Sequence, residues 1–276
     1  MQRMLSPTAI NTWFKSPRLF YYRYKAGIPI VPSIHLYKGS LIHELIETAF
    51  QPDKYVDIRG DTLKRLQQRW NPETDGVILD KKDNHKHRKD AANILKMFGA
   101  TFNARLKLLM EDEKIGTKDK AWSVLKPKHS EYEIIDNQLR LKGIIDAIET
   151  DYSGRTFIID YKTSHKYKNA VPEDYMRQIR LYALLYSRYF KKLPDYVGIN
   201  YLRYGETYLV PIDQSIVNKA QTEVELVHNK TQSENINDYP LTGDKYSVAE
   251  CKQIEKQLKA QEQNQDKDTL SGRRSI

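Results

Sequence analysis

Apolar residues recur at helical spacing through the first half of the chain and in alternating or continuous runs through the second. Ser6-Pro7 and Ser16-Pro17 each set a capping hydroxyl before a proline at the first helical position. They predict a short helix to about Phe14 and a second, basic and aromatic, through RLFYYRYK at 18–25. After the Gly27-Ile28-Pro29 and Pro32 loop, Leu41, Leu45, Ile46 and Ala49 predict a helix over about Leu36–Phe50. Residues 51–90 are polar. One helix is expected near Thr62–Trp70, followed by an exposed basic loop, KKDNHKHRKD at 81–90. Ile94, Phe98, Phe102, Leu106 and Leu109 predict a long amphipathic helix from about Ala91 to Met110, and Gly116–Lys128 reads as a loop.

The period then changes. EYEIID, LRLKGIIDAIE and TFIIDYKT are β-like runs separated by turn residues. A helix over about Glu173–Phe190, opened by Pro172, leads to two more strands, YVGINYLRY and TYLVPI, joined at Gly205-Glu206. A helix over Gln214 to about Lys230 and an irregular stretch at 231–248 follow. The end, QEQNQDKDTLSGRRSI, lacks apolar periodicity and is expected to be partly disordered. The order predicts an α/β fold with a mixed sheet flanked by helices. Residues 1–128 are expected to form a helical N-terminal part packed on a core at 129–248, with a polar tail at 249–276.

Composition narrows the class. A formal charge of +9 favours a polyanionic partner. Tyr occurs 19 times against 7 Phe, which suits half-buried surfaces and stacking on bases. Cys251 is the single cysteine, so neither a disulfide framework nor a four-thiolate metal site can form within one chain. There is no secretory h-region and no apolar stretch long enough for a membrane span. A soluble, cytoplasmic protein without membrane contact is expected.

The chemistry concentrates in GIIDAIETDYSGRTFIIDYKTS at 143–164. With Tyr152-Ser153-Gly154 as a loop centred on Ser153, residues whose numbers sum to 306 face each other. Asp146 and Asp160 are such a pair, and Lys162 projects from the same sheet face as Asp160. Both acids sit in apolar strands, where a carboxylate is costly unless paired or metal-bound. Mg²⁺ or Mn²⁺ would neutralise the pair, polarise a phosphoryl oxygen and acidify a water, and the lysine could hold or deprotonate that water or stabilise transition-state charge. His43, on the third helix with Glu47 at i+4, is a candidate transition-metal ligand. Glu44 and Glu47 read as solvent-facing. Tyr175, Gln178 and Tyr182 share a helical face that could position the lysine or meet a sugar–phosphate backbone. Arg177 could meet a phosphate.

These residues carry a resemblance. The opening SPTAINTWFKSPRLFYYRY, the G-x-x-x-H of Gly39–His43, the G-x-x-D of Gly143–Asp146, the D-Y-K-T-S of Asp160–Ser164 and the Q-x-x-x-Y of Gln178–Tyr182 occur in order over about residues 5 to 215. The sequence resembles the RecB-like branch of the PD-(D/E)XK nucleases, in particular the exonucleases associated with CRISPR adaptation and their viral and archaeal relatives. The resemblance implies a restriction-endonuclease-like core. It also implies metal ligation by His43, Asp146, Asp160 and the main-chain carbonyl of Tyr161, with Lys162 as catalytic lysine and Gln178 and Tyr182 in the accessory motif. CRISPR-associated relatives often hold an iron–sulfur cluster on four cysteines. Here Ser16 stands before Pro17 and only Cys251 exists, so no cluster is expected.

The expected function is a Mg²⁺- or Mn²⁺-dependent deoxyribonuclease, an exonuclease acting on single strands or free ends, in the company of other DNA-processing proteins. Arg18, Tyr21, Tyr22 and Arg23 are candidate DNA contacts. Two other readings stand beside it: a non-catalytic DNA-binding subunit of a repair, recombination or CRISPR-type complex, and an RNA-processing enzyme of the same chemistry.

Overall fold

The computed structural model describes residues 3–111, 115–165 and 171–272. They divide into two compact units, one of residues 31–222 and one that joins residues 1–30 to 223–276. The boundary expected after residue 128 falls inside the larger unit. There the helices that precede the sheet share one core with it.

In the larger unit the helices are α3 (Ile34–Ala49), α4 (Ile58–Arg69), α5 (Lys81–Met110), α6 (Lys118–Leu125) and α7 (Glu173–Phe190). The smaller unit holds α1 (Pro7–Lys15), α2 (Pro17–Phe20) and α9 (Lys245–Gly272), while α8 (Gln214–Lys230) carries the chain from one unit into the other. The sheet has the order β1 (His129–Asp136), β2 (Leu141–Thr150), β3 (Thr156–Lys162), β4 (Tyr196–Tyr201), β5 (Glu206–Pro211). All neighbours are antiparallel except β3 and β4, which run parallel because α7 returns the chain between them. This is the α/β, restriction-endonuclease-like arrangement read from the sequence, a mixed sheet flanked by helices with a helical N-terminal region.

Alternation along β3 sends its side chains to two environments. Phe157, Ile159 and Tyr161 join Ala147 and Leu202 in the core built with α3, α4, α5 and α6. Ile158, Asp160 and Lys162 turn to the other face, towards α7. At the centre of the first environment Trp122 is fully buried, its ring 5.7 Å from Phe50 and 5.6 Å from Phe102, and its Nε1 donates to the Pro52 carbonyl at 3.1 Å. Gly99 allows α4 to cross α5. A Cβ there would lie 2.8 Å from the Arg59 Cα, which only a backbone shift could relieve.

Two stretches expected as loops are helical. KKDNHKHRKD forms the first three turns of α5, where the Asp80 carboxylate caps the Asp83 N–H at 2.7 Å. Its cations face water, so like charge does not break the helix. Within Gly116–Lys128, α6 is capped by Thr117 and buries Ala121, Trp122 and Leu125.

In the smaller unit Ser6 and Ser16 cap α1 and α2 as expected, but the chain continues through Tyr21–Lys25 in a wider π turn. The tail begins as α9, with Cys251 and Ile254 packed on Leu19 and Tyr22, and the helix extends to Gly272 within the stretch expected to be partly disordered. The tail's last four residues lie outside the described ones. Ser16 Oγ and Cys251 Sγ lie 4.0 Å apart, both fully buried. Among the described residues no helix is long and apolar enough to cross a membrane.

Candidate active site

The β2–β3 ladder runs from Thr150–Thr156 to Ala147–Ile159, every rung summing to 306, so the next level holds Asp146 and Asp160. The loop is five residues, 151–155, and keeps its centre at Ser153. Beyond the last rung a side chain takes over the pairing. Asp146 Oδ2 accepts the Tyr161 N–H at 2.6 Å. A strand residue points its N–H and C=O to the same neighbour, so the Tyr161 carbonyl is also directed towards β2.

A third acid stands at the same level. On β1 the rungs Ser130–Ala147 and Tyr132–Ile145 bracket Glu131, placing it opposite Asp146. Its φ of 47° is left-handed, a strained geometry for glutamate within a strand. From α3, His43 reaches this row: Nδ1 is 3.5 Å from Asp146 Oδ1 and 3.6 Å from Glu131 Oε1. The donor atoms of His43, Glu131 and Asp146 all lie within 4.8 Å of one another. One imidazole and two carboxylates suit Mn²⁺, and the carboxylates suit Mg²⁺, so the residues fit a divalent cation. Glu131 was missed in the sequence, although the turn at 137–140 implies sums of 277 on β1–β2 and so pairs it with Asp146.

Asp160 is 1 % exposed and binds Lys162 Nζ through Oδ2 at 2.6 Å. Lys162 Nζ also donates to Gln178 Oε1 at 2.9 Å, and Gln178 Nε2 donates to the Tyr182 hydroxyl at 2.9 Å. These two bonds fix the amide's orientation. The Tyr175 ring lies 4.8 Å from the ammonium, and its hydroxyl meets Ser164 Oγ at 3.0 Å. An open cleft of about 480 Å³ reaches the row of acids, lined by His35, Gly39, His43, Glu47, Glu131 and Thr163 among others. A Cβ at Gly39 would be in ordinary contact with Thr163, at 3.7 Å, so the motif glycine keeps the cleft clear and is not forced by packing.

The electrostatics are dominated by the clustered carboxylates. Burial works to lower the His43 pKa, but the hydrogen bond and charge of Asp146, then Glu131 and Asp160, push it up to about 10. Burial raises Asp160, Lys162 opposes it and Asp146 adds to it, leaving a pKa of about 6. Burial would lower Lys162, but the adjacent Asp160 carboxylate outweighs it and holds the ammonium above its usual range.

The other candidate residues are placed differently. Arg177 is buried, 3.7 Å from Glu173. In the smaller unit Arg18 donates to the Tyr239 carbonyl at 2.7 Å and pairs with Glu255 at 3.2 Å. Tyr22 donates to Glu255 at 2.9 Å, Arg23 pairs with Glu250, and Tyr21 packs on Tyr239 at 5.1 Å between ring centres. These four groups tie the unit together.

The model of the PD-(D/E)XK nuclease superfamily matches residues 4–268. The chain belongs to this superfamily. Superfamily nucleases use divalent metals, in keeping with the His43, Glu131 and Asp146 donors. No protein of curated function matches the sequence. Among solved structures, a protein from Eubacterium rectale provisionally named an exonuclease is similar at 10% identity, covering 82% of this chain and 78% of its own, with a TM-score of 0.44. The protein SSO0001 is similar at 13% identity, covering 63% and 86%, with a TM-score of 0.25.

Two expected results follow for a superfamily centre of this make-up. Glu131→Gln removes one charge from the donor set, and metal affinity is expected to fall about 10- to 100-fold, with activity recovering at saturating metal. A metal titration of cleavage checks this, and an unchanged midpoint would leave Glu131 only the part of holding His43. Metal binding is also expected to release a proton, because a ligating imidazole must be neutral while His43 is protonated up to about pH 10. Apparent affinity should strengthen about tenfold per pH unit near neutrality. Below about pH 6 it should be steeper, since Asp160 must ionise as well. Calorimetry in two buffers of different ionisation enthalpy counts the protons, and a count of zero at pH 7 would remove His43 from the ligand set. Without metal the two signs agree, each raised pKa favouring the fold at low pH. The raised His43 pKa contributes stability that is full below about 6.5 and lost as pH rises through about 10. The raised Asp160 pKa favours the fold below 3.8, an advantage lost as pH rises through about 6.

Proposed function

We propose that this protein is a metal-dependent deoxyribonuclease of the RecB-like branch, hydrolysing phosphodiester bonds at single strands or free ends with Mg²⁺ or Mn²⁺. The observation that carries the reading is the single level of sheet at which Glu131, Asp146 and Asp160 stand beside His43, with Lys162 bonded to Asp160. His43, Glu131 and Asp146 would hold the cation, with Asp160 and the Tyr161 carbonyl beside it. A bound divalent cation supplies charge neutralisation at a phosphoryl oxygen and a more acidic water.

The rest is the work of the chain. Lys162 Nζ donates to Gln178 and forms an ion pair with Asp160. With three N–H donors the ammonium can also serve the attacking water or a non-bridging phosphate oxygen. Because the ammonium is held charged, Lys162 serves as an electrostatic stabiliser of the pentavalent transition state and a proton donor, not as a base. Gln178 and Tyr182 fix its direction, and Tyr175 shields it from water.

The test is cleavage of end-labelled single- and double-stranded DNA and RNA by the purified chain with Mg²⁺, Mn²⁺ or EDTA. Metal-dependent release of nucleotides from DNA ends is expected. Tight binding without cleavage in any metal would replace this reading with that of a binding subunit, and cleavage of RNA alone would change the substrate.

A further inference from the structure

We propose that the groove between α4 and α5 is a second nucleic-acid surface, binding the phosphodiester backbone outside the catalytic cleft. The choice of nucleic acid as partner rests on the nuclease reading; the surface itself rests on charge placement.

At ~100° per residue, Lys82, His85, Lys86, Arg88, Lys89 and Lys96 fall within an arc of ~160° on α5. The two acids of that helix, Asp83 and Asp90, lie outside it, and Asp90 is already engaged by Lys38 and Arg203. All six basic residues are exposed. Among the described residues none of the five lysines and arginines forms an ion pair. Arg18, Arg23 and Lys38, by contrast, are each tied to a carboxylate. The arc is also shaped. His85, Arg88, Lys89 and Lys96 form one wall of a groove of about 340 Å³ whose floor is apolar, from Leu63, Leu66 and Ala92. Cations spaced along a wall over an apolar floor match a nucleic-acid strand, with phosphates at the wall and sugars against the floor. An acidic peptide would also meet the charge. The overall +9 and the nuclease family favour the nucleic acid.

Unpaired cations that bind phosphates release counterions, and this leaves a signature in the salt dependence of binding. The experiment measures fluorescence anisotropy of a labelled thymidine oligonucleotide of about 30 residues, in EDTA, from low to moderate salt. It compares the wild-type chain with the triple variant Arg88→Glu, Lys89→Glu, Lys96→Glu. A second triple variant, Lys54→Glu, Lys142→Glu, Lys192→Glu, makes the same change in net charge at exposed lysines elsewhere. The groove variant is expected to bind about 10- to 100-fold more weakly at low salt, with a log–log salt slope shallower by ~2, while the control stays close to wild type. Melting temperatures establish that both variants are folded. Equal losses in the two triples would reduce the effect to net charge and overturn the proposal, as would no loss in either. Loss of binding to labelled polyglutamate with DNA binding intact would assign the groove to an acidic protein. Because no metal is present, a chain that cuts nothing still gives a full answer here, and failure of the nuclease reading is seen separately in the cleavage assay.

Discussion

Asp160→Ala is expected to lower phosphodiester cleavage at least about a thousandfold, the scale of losing a charge-stabilising group at a metal-assisted centre. The carboxylate is held 1 % exposed between Lys162 and the Asp146 level, so no neighbouring water or side chain can stand in for it. Two functions leave together: a negative group beside the cation and the anchor that directs the lysine. Raising the metal concentration should therefore not restore the rate, unlike the expectation for Glu131→Gln. Single-turnover cleavage over a wide range of Mn²⁺ checks this. Activity within about tenfold of wild type would place the chemistry elsewhere in the molecule.

Lys162→Ala is expected to cost about 10²- to 10⁴-fold in kcat with little change in KM. The ammonium lies at the end of a chain of bonds from Tyr182 through Gln178, which fixes its position beside Asp160. Lys162→Arg should not rescue, because a planar guanidinium cannot take the place of a compact ammonium between Asp160 and Gln178. Steady-state kinetics on both variants separates the cases. A loss confined to KM would make Lys162 a substrate-binding cation, and full activity in the arginine variant would show that only charge is required.

The legible part of the site was the part fixed by local register. A hairpin centred on Ser153 dictates which residues face each other, and a loop of three or five residues gives the same answer when it is symmetric about that point. Glu131 does not stand out in its own strand, HSEYEIID, where Glu133 lies two places on. Only the register of the next hairpin, together with a left-handed backbone at Glu131, singles it out. At 81–90 composition points to a loop and period to a helix, and period prevails. The cations of this stretch fall on the same outward arc that the later turns of α5 leave polar. The ion pairs of Arg18 and Arg23 are illegible in the sequence for a different reason. Their partners, Glu255 and Glu250, lie more than two hundred positions downstream, a distance over which charge pattern in a single sequence has no reach.

The smaller unit is assembled from the first thirty residues and from those after Thr222. During synthesis, Leu19 and Tyr22 emerge long before Cys251 and Ile254, the groups that cover them. At ribosomal rates of ~5–20 residues per second the nascent N-terminal helices wait on the order of 10 to 40 seconds with an apolar face open. The chain thus carries a built-in interval of vulnerability to chaperone capture or mispairing, which ends only when the last helix leaves the tunnel.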